Sequence, residues 1–191
     1  METNSPLTDQ QIRETVAFHG HHCPGLSIGM RAAEWGLQEF GQADDEEIVV
    51  VTETNMCGTD AIQYLIGCTF GKGNLIFRDI GKVAFTFFRR RDGKRGRIVL
   101  NPDLAFDRGI KSEANVSEEE LILLKQKKIE QIMQANLNEL FLFSVPDGEI
   151  PEKAKIYKTI RCEICGEGVM ESRLQTVDHK KICIDCSQKK R

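Results

Sequence analysis

The sequence lacks any apolar run of the roughly 18 residues that a membrane-spanning helix requires, so it predicts no membrane span. Its first residues, METNSPLTDQQ, show no basic segment followed by an apolar one, and we expect no secretory signal peptide. A strong charge bias is also missing. The net charge is −3, and residues 151–191 hold ten Lys or Arg against six Asp or Glu, an excess too small to predict a nucleic-acid-binding surface. The composition, 40% hydrophobic and 29% charged, is that of a soluble globular protein.

The cysteines do not suit a disulfide framework. Their number, seven, is odd, and four of them form two Cys-x-x-Cys pairs. This usage is typical of reduced thiols that bind metal. We therefore expect a cytoplasmic protein.

The most specific motif lies near the C-terminal end of the sequence. Cys162-x2-Cys165-x17-Cys183-x2-Cys186 has the spacing of a four-cysteine structural zinc site, and residues 169–182 have the length of a hairpin. A redox Cys-x-x-Cys is the alternative, but that chemistry uses one pair. About forty residues bury too little apolar surface to fold comfortably alone, so we expect a structural Zn²⁺ to contribute folding free energy.

The remaining sequence predicts helices and strands without regular alternation, which favours an α+β core with a mixed or antiparallel sheet. Small residues recur along the second predicted helix, where they permit either tight internal packing or the close approach of another backbone. We predict a core domain over 1–145, a linker over 146–158 and a zinc finger over 159–191. The predicted elements are helices from Thr8 to Phe18, from Pro24 to Phe40, around 60–66 (capped by Thr54 or Asn55) and from Ser117 to Leu140, a buried strand over 47–52, and a hairpin at Asp92-Gly93.

Three of the four histidines lie in one short stretch, FHGHHCPG, over residues 18–25. Cys23 is placed at the start of the second helix, and Cys57 in the same relation to the helix that contains Asp60. The helix dipole favours a thiolate at both positions. Two thiols and a histidine-rich turn are suited to binding one transition metal or to forming a reactive-thiol site. Each of these residues could instead have a purely structural role. Cys68, for example, could be a small buried side chain of the core.

Three stretches, FHGHHCPGLSIGMRAA, TNMCGTDAIQ and GCTFGKGNLIFRDIGK, resemble in order the FmdE family of formylmethanofuran dehydrogenase proteins over about residues 12–140. The four-cysteine module resembles the treble-clef zinc finger found on some members. The resemblance implies an α+β homodimer with a cleft lined by the His/Cys motifs. It further implies a small-molecule substrate or a molybdoenzyme partner, in C1 metabolism related to methanogenesis.

The family motifs map onto individual residues of this sequence. The resemblance implies a core transition-metal site, for a second Zn²⁺ or another ion, at His21, Cys23 and Cys57, with His19 as a further ligand. It implies catalytic or supporting roles for Cys23, Cys57, His19 and Asp60. The glycine-loop residues Thr69, Lys72 and Asn74 match the motif and are assigned to cofactor binding.

Two other functions stay open at this point. One is a thiol-based enzyme in which Cys23 or Cys57 is the nucleophile and His19 or His21 the base. The other is a ligand-sensing regulator that binds nucleic acid through the zinc finger and through the basic segment Arg89–Arg97, which we expect at an exposed hairpin tip.

Overall fold

The computed structural model describes residues 7–104 and 117–189. The chain divides into two compact units, Met1–Lys153 and Ala154–Arg191. The division falls within the predicted linker, while the domain bounds 1–145 and 159–191 remain predictions. In the described part of the chain, no helix combines the length and the apolar composition needed to cross a bilayer.

The first unit begins with two helices, α1 over Asp9–His19 and α2 over Pro24–Phe40. Thr8 caps α1: its hydroxyl accepts a hydrogen bond from the Gln11 N–H, and the Gln11 side chain accepts one from the Thr8 N–H. Gly20 ends α1 with a φ of 96°, a left-handed conformation that glycine adopts at little cost. The predicted helices and capping box are therefore confirmed, and residues 20–23 of the FHGHHC stretch join the two helices.

A five-stranded mixed sheet forms the other layer. Its strands are β1 (Ile48–Thr52), β2 (Leu75–Phe77), β3 (Ala84–Arg89), β4 (Arg95–Leu100) and β5 (Phe141–Ser144). In the order β2-β1-β3-β4-β5, β1 is parallel to β2, and the other neighbours are antiparallel. The predicted hairpin is confirmed, because Asp92-Gly93 connects β3 to β4 and Gly93 adopts a φ of 72°. The α+β class is confirmed.

The third helix is short and starts at a cysteine. Helix α3 covers Gly58–Ala61 and continues directly into a π-helical turn over Ile62–Ile66. The predicted capping by Thr54 or Asn55 is wrong: the N-cap residue is Cys57, and no side chain makes a capping hydrogen bond there.

The predicted long helix from Ser117 to Leu140 is two helices. Ser117 and Glu120 form the expected capping box of α4, which covers Glu118–Gln134. Ala135 then adopts extended backbone angles, and its carbonyl accepts a hydrogen bond of 2.7 Å from the Arg31 guanidinium. A short helix, α5 (Leu137–Leu140), follows.

Arg31 and Glu34 form an ion pair inside the core, where the two side chains are only 2% and 2% exposed. Burial lowers the pKa of Arg31, while the Glu34 carboxylate acts in the opposite direction. Because Arg31 also bonds to Ala135, the pair ties α2 to the end of α4. The apolar core of this unit includes Leu26, Met30, Phe85, Phe87 and Ile98.

The small residues of α2 serve internal packing. A Cβ atom on Gly29 would lie 2.2 Å from the Cα atom of Gly58, at the start of α3. A Cβ atom on Gly36 would lie 2.5 Å from the ring of Phe87. These glycines let α2 approach α3 and the sheet more closely than any other residue would permit.

Within its described residues, the second unit has two small hairpins, a 3-10 turn over Glu171–Arg173 and one α-helix. Strands β6 (Thr159–Arg161) and β7 (Gly168–Met170) pair, as do β8 (Leu174–Val177) and β9 (Lys180–Cys183). Helix α6, Ile184–Gln188, follows directly. The predicted hairpin over 169–182 is present as β8–β9, although its first residues pair with β6 instead. The buried cluster consists of one isoleucine, Ile182, and three cysteines, so the apolar core is very small.

Candidate metal centres

The core candidate site is built from the ends of three helices. His19 is the last residue of α1, Cys23 is the N-cap of α2, and Cys57 is the N-cap of α3. One ligand atom from each lies within 4.8 Å of the other two. We call these three residues the core triad.

Glycine packing brings the two thiols together. The contact between Gly29 and Gly58 places the first turn of α3 against α2, and Cys57 directly precedes Gly58. A Cβ atom on Gly25 would lie 3.4 Å from the Cβ atom of Cys57, so the start of α2 is also shaped to admit that cysteine. The close helix contact and the triad are therefore parts of one arrangement.

The triad has dimensions suited to a transition metal. The Nε2 atom of His19 lies 4.0 Å from the Sγ atom of Cys23. In a tetrahedral zinc site with metal–sulfur bonds of about 2.3 Å, ligand atoms lie about 3.8 Å apart. Two sulfurs and one imidazole nitrogen are also the donors that zinc and similar ions prefer. Three protein ligands would leave a fourth position open.

Asp60 fixes the orientation of His19. Its Oδ2 atom lies 2.7 Å from Nδ1 of His19, and its Oδ1 atom accepts a hydrogen bond of 3.2 Å from the Gln63 side chain. A carboxylate bound to one ring nitrogen leaves the other nitrogen free to bind a metal, and such a carboxylate is the usual partner of a metal-binding histidine. Asp60 thus supports the triad and is not one of its three members.

Burial raises the pKa of Cys57, and a hydrogen bond and electrostatic repulsion from the Cys23 sulfur act in the same direction. Without a cation, Cys57 is therefore a neutral thiol at neutral pH, and the thiolate that the helix start favoured at this position is not supported. A bound divalent ion reverses this preference, because a coordinating thiol loses its proton.

The other histidines of the FHGHHC turn lie outside the triad. His21 is exposed and its ring packs against that of His19, with centroids 4.6 Å apart. His22 places its Nε2 atom 3.0 Å from the Ser27 hydroxyl. Among the sequence-predicted ligands, the structure therefore groups His19 with the two cysteines and leaves His21 beside them.

The glycine-loop residues bond to one another and to the start of β1. The Asn74 side chain accepts the Thr69 N–H and donates to the carbonyls of Asp45 and Ile48, while Lys72 Nζ also donates to Asp45. Cys68 is fully buried, and burial raises its pKa to about 12. Thr69, Lys72 and Asn74 thus hold the loop, and their assignment to cofactor binding remains a prediction.

A cavity of about 380 Å³ adjoins the core triad, a size typical of small-molecule sites. Its lining joins His19, Cys57 and Asp60 to apolar side chains that the sequence analysis did not identify as functional: Met56, Phe70, Leu75 and Phe77. Two features of the sequence could have indicated such a role: Met56 directly precedes Cys57, and Phe70 lies within the glycine loop. Two larger cavities, of about 660 and 750 Å³, have no His or Cys among their described lining residues.

The basic segment Arg89–Arg97 has many internal partners. Arg97 makes a two-point ion pair with Glu53, which is the first cause of the lowered pKa of Glu53. Most of these cations therefore hold the hairpin in place. The other contacts are Arg89 with Asp92, Arg91 with Glu47, Lys94 with Glu39, and Arg90 and Arg95 with the carbonyls of Pro151 and Gly148.

The four cysteines of the second unit form the other candidate centre. The Sγ atoms of Cys162, Cys165, Cys183 and Cys186 all lie within 4.8 Å of one another. Gly166 allows the first turn, with a φ of 76° and its N–H bonded to the Cys162 carbonyl. Four sulfurs at these distances fit one tetrahedral zinc ion.

The thiols of this cluster have opposed pKa shifts. Backbone hydrogen bonds, the largest effect coming from Cys165, lower the pKa of Cys162 to about 6. A hydrogen bond with Cys183, followed by burial, raises the pKa of Cys186 to about 12. Four thiolates therefore need a cation to coexist, and Zn²⁺ supplies the required charge.

Comparison with known proteins assigns both units. Residues 18–142 match the family model described as FmdE, molybdenum formylmethanofuran dehydrogenase operon. Residues 155–191 match the prokaryotic dksA/traR C4-type zinc finger.

Two relatives extend along nearly the whole chain. A protein of Archaeoglobus fulgidus, described as a probable S-adenosyl-L-methionine-binding protein, is 29% identical over 204 aligned positions, which cover 96% of this chain and 54% of that protein. The chain thus spans about half the length of that relative. The crystal structure of a tungsten formylmethanofuran dehydrogenase FmdE-like protein from Syntrophus aciditrophicus has a TM-score of 0.68 at 22% identity, covering 98% of this chain and 97% of that one. At this identity the likeness shows a shared fold.

The mixed sheet, the helices and the cysteine motifs define an α+β protein with an appended four-cysteine zinc finger. The family model covers more than half of the chain, so the chain belongs to the FmdE family. The resemblance carried by the three sequence motifs is thereby confirmed.

Proposed function

We propose that the core unit binds one transition-metal ion through His19, Cys23 and Cys57, and uses its open fourth position to bind a small molecule. The observation that carries this proposal is the convergence of the three ligand atoms to within 4.8 Å. The hydrogen bond that Asp60 accepts from the His19 ring and the adjoining cavity support it, because both are features of metal sites that receive a ligand.

Within this function, the ion would supply a Lewis acid beside the cavity. The residues of the chain perform the remaining tasks. Asp60 holds the imidazole in one orientation, and the glycine contact between α2 and α3 sets the distance between the thiols.

We propose a biological setting from the names of the family and of the two relatives. The FmdE name and the tungsten-enzyme name of the Syntrophus protein support a role beside a molybdenum or tungsten enzyme of C1 metabolism, either as one of its components or as an accessory protein. The name of the Archaeoglobus relative supports a small-molecule ligand. We propose a homodimer in the cytoplasm, with the zinc finger as a structural module.

A thiol-based enzyme is the second candidate, favoured by one observation. Cys23, His19 and Asp60 lie in the order nucleophile, base and orienting carboxylate, with separations of 4.0 and 2.7 Å. The alkylation rate of metal-free protein against pH tests it: a Cys23 thiol titrating well below about 8.5 supports this function, and ordinary reactivity contradicts it.

The metal content of purified protein tests the leading proposal. We expect two metal ions per chain by elemental analysis. Cys23→Ser and Cys57→Ser should each lose one ion, whereas Cys68→Ser, a matched change of a buried cysteine outside the triad, should keep both. The double variant Cys162→Ser/Cys165→Ser should lose the finger zinc and keep the core ion. One ion per chain in the wild type, unchanged by Cys23→Ser, contradicts the proposal.

A further inference from the structure

The cavity beside the core triad is lined by two chemically different groups of residues. His19, Cys57 and Asp60 supply donor atoms, whereas Phe70 and Phe77, which are 76% and 42% exposed, supply aromatic rings. A ligand that contacts both groups would combine a polar donor atom with an apolar body.

The charge of the lining disfavours anions. No lysine or arginine occurs among the residues that line this cavity, all of which are described. A divalent ion held by two thiolates and a neutral imidazole has no net charge, so the Asp60 carboxylate leaves the site negative. A ligand carrying a carboxylate or phosphate would be repelled and would find no counter-ion.

The hydroxyl groups of the lining already have acceptors. The hydroxyls of Thr52 and Thr59 donate to the Thr54 carbonyl, at 2.6 and 3.3 Å. The Gln63 amide donates to Asp60. Among the lining hydroxyls and amides, the exposed Asn55 amide remains available to donate. The wall therefore offers few free donors to a strongly polar ligand, and such a ligand would lose hydrogen bonds to water on entering.

We infer that the cavity selects an uncharged, largely apolar molecule that carries one metal-coordinating nitrogen or sulfur atom. The donor atom occupies the open position of the core metal, and the apolar body lies against Phe77 and Phe70. This inference rests on the proposed function, because it requires the triad to hold an ion.

Cobalt-substituted protein tests the selectivity, with three probes that share one donor group. These are imidazole, 4-phenylimidazole and 4-(imidazol-4-yl)benzoate, titrated while the visible absorption of Co²⁺ is followed. The four-cysteine finger has no open position, so changes in the spectrum on adding a probe report the core site. We expect 4-phenylimidazole to bind at least about 10-fold more tightly than imidazole, because part of its ring leaves water, and the benzoate to bind more weakly than 4-phenylimidazole.

A pair of variants locates the apolar body. Phe77→Ala should remove most of the preference for 4-phenylimidazole while leaving the affinity for imidazole unchanged. Phe143→Ala is the matched control, since Phe143 is also a strand residue, is 41% exposed, and does not line this cavity. It should behave as the wild type.

The outcomes distinguish a failure of the inferred ligand selectivity from a failure of the proposed metal site. Equal affinities for the three probes, or a preference for the benzoate, overturn the inference while the metal site stands. A cobalt spectrum that no probe perturbs, and that Cys23→Ser leaves unchanged, overturns both.

Discussion

The contact between Gly29 and Gly58 allows a prediction in which one methyl group disrupts the proposed core metal site without touching any of its ligands. In Gly29→Ala the new Cβ atom would lie 2.2 Å from the Cα atom and 2.3 Å from the carbonyl oxygen of Gly58, whereas ordinary van der Waals contact begins near 3.4 Å. Because the obstacle is backbone, no side chain can rotate away. The start of α3 must therefore move from α2 by at least about 1.2 Å, the difference between those separations.

Cys57 directly precedes Gly58, so the displacement carries its sulfur away from Cys23. Metal–ligand distances tolerate only about 0.2 Å, and the core site should lose its ion although all three ligands are intact. Overpacking costs about 1–3 kcal/mol, of which the better helix propensity of alanine offsets about 1 kcal/mol. We expect a net loss of about 0–2 kcal/mol in the free energy of unfolding.

Cobalt titration and urea unfolding measure the two effects. Gly36→Ala, in the same helix, would meet the side-chain atoms of Phe87 and Ile66 at 2.5 and 2.9 Å, so it should lose stability but keep the core ion. Gly71→Ala has no atom within 4 Å and should change neither quantity. If Gly29→Ala binds the core ion with wild-type affinity and unfolds at the wild-type midpoint, the glycine contact does not set the distance between the thiols.

Three further predictions concern the charges of the core and the finger. Arg97→Met should lower the free energy of unfolding by about 2–3 kcal/mol at pH 7, because it leaves the buried Glu53 carboxylate without its partner. The pKa of Glu53 is lowered in the folded state, so the stabilisation by the ion pair is fully present above the unfolded-state pKa of about 4.3 and is lost as the pH falls through the folded-state pKa. If urea titrations show that the difference in unfolding free energy between variant and wild type does not shrink below pH 4, this explanation is contradicted. Arg31→Met should lower the free energy of unfolding by about 3–5 kcal/mol, and the double variant Arg31→Met/Glu34→Leu should recover most of that loss. Equal losses in the two variants would show that the unpaired buried charge of Glu34 is not the cause. Chelation of zinc should unfold residues 159–191 and leave the sheet intact, as followed by amide NMR signals, and finger signals that survive complete zinc removal would refute a structural role.

The sequence predicted the elements that depend on local chemistry. The capping box at Thr8, the proline at the start of α2 and the turn at Asp92-Gly93 each depend on neighbouring residues, and each is present in the structure. The end of α4 depends instead on Arg31, which lies 104 positions away and bonds to Ala135. No local pattern could indicate that contact.

In the candidate site, too, features set by local sequence could be predicted, whereas features set by tertiary packing could not. Helix starts at Cys23 and near Cys57 could be predicted, and the prediction that they face one site agrees with their proximity in the structure. The choice between His19 and His21 could not be made from spacing, because it depends on Asp60, which reaches His19 only through packing of α3. Phe77 joins the cavity from a strand, which periodicity alone does not reveal.

The two groups of cysteines become able to bind an ion at different stages of the synthesis and folding of the chain. In the second unit, Cys162 and Cys165, like Cys183 and Cys186, are separated by two residues, so each pair can capture an ion before the polypeptide has folded, and capture then drives folding. The core triad comes from three helix ends and forms only after α3 has docked on α2. The finger cysteines can therefore take up an ion on the nascent chain, whereas the ligand set proposed for the core is complete only in the folded protein.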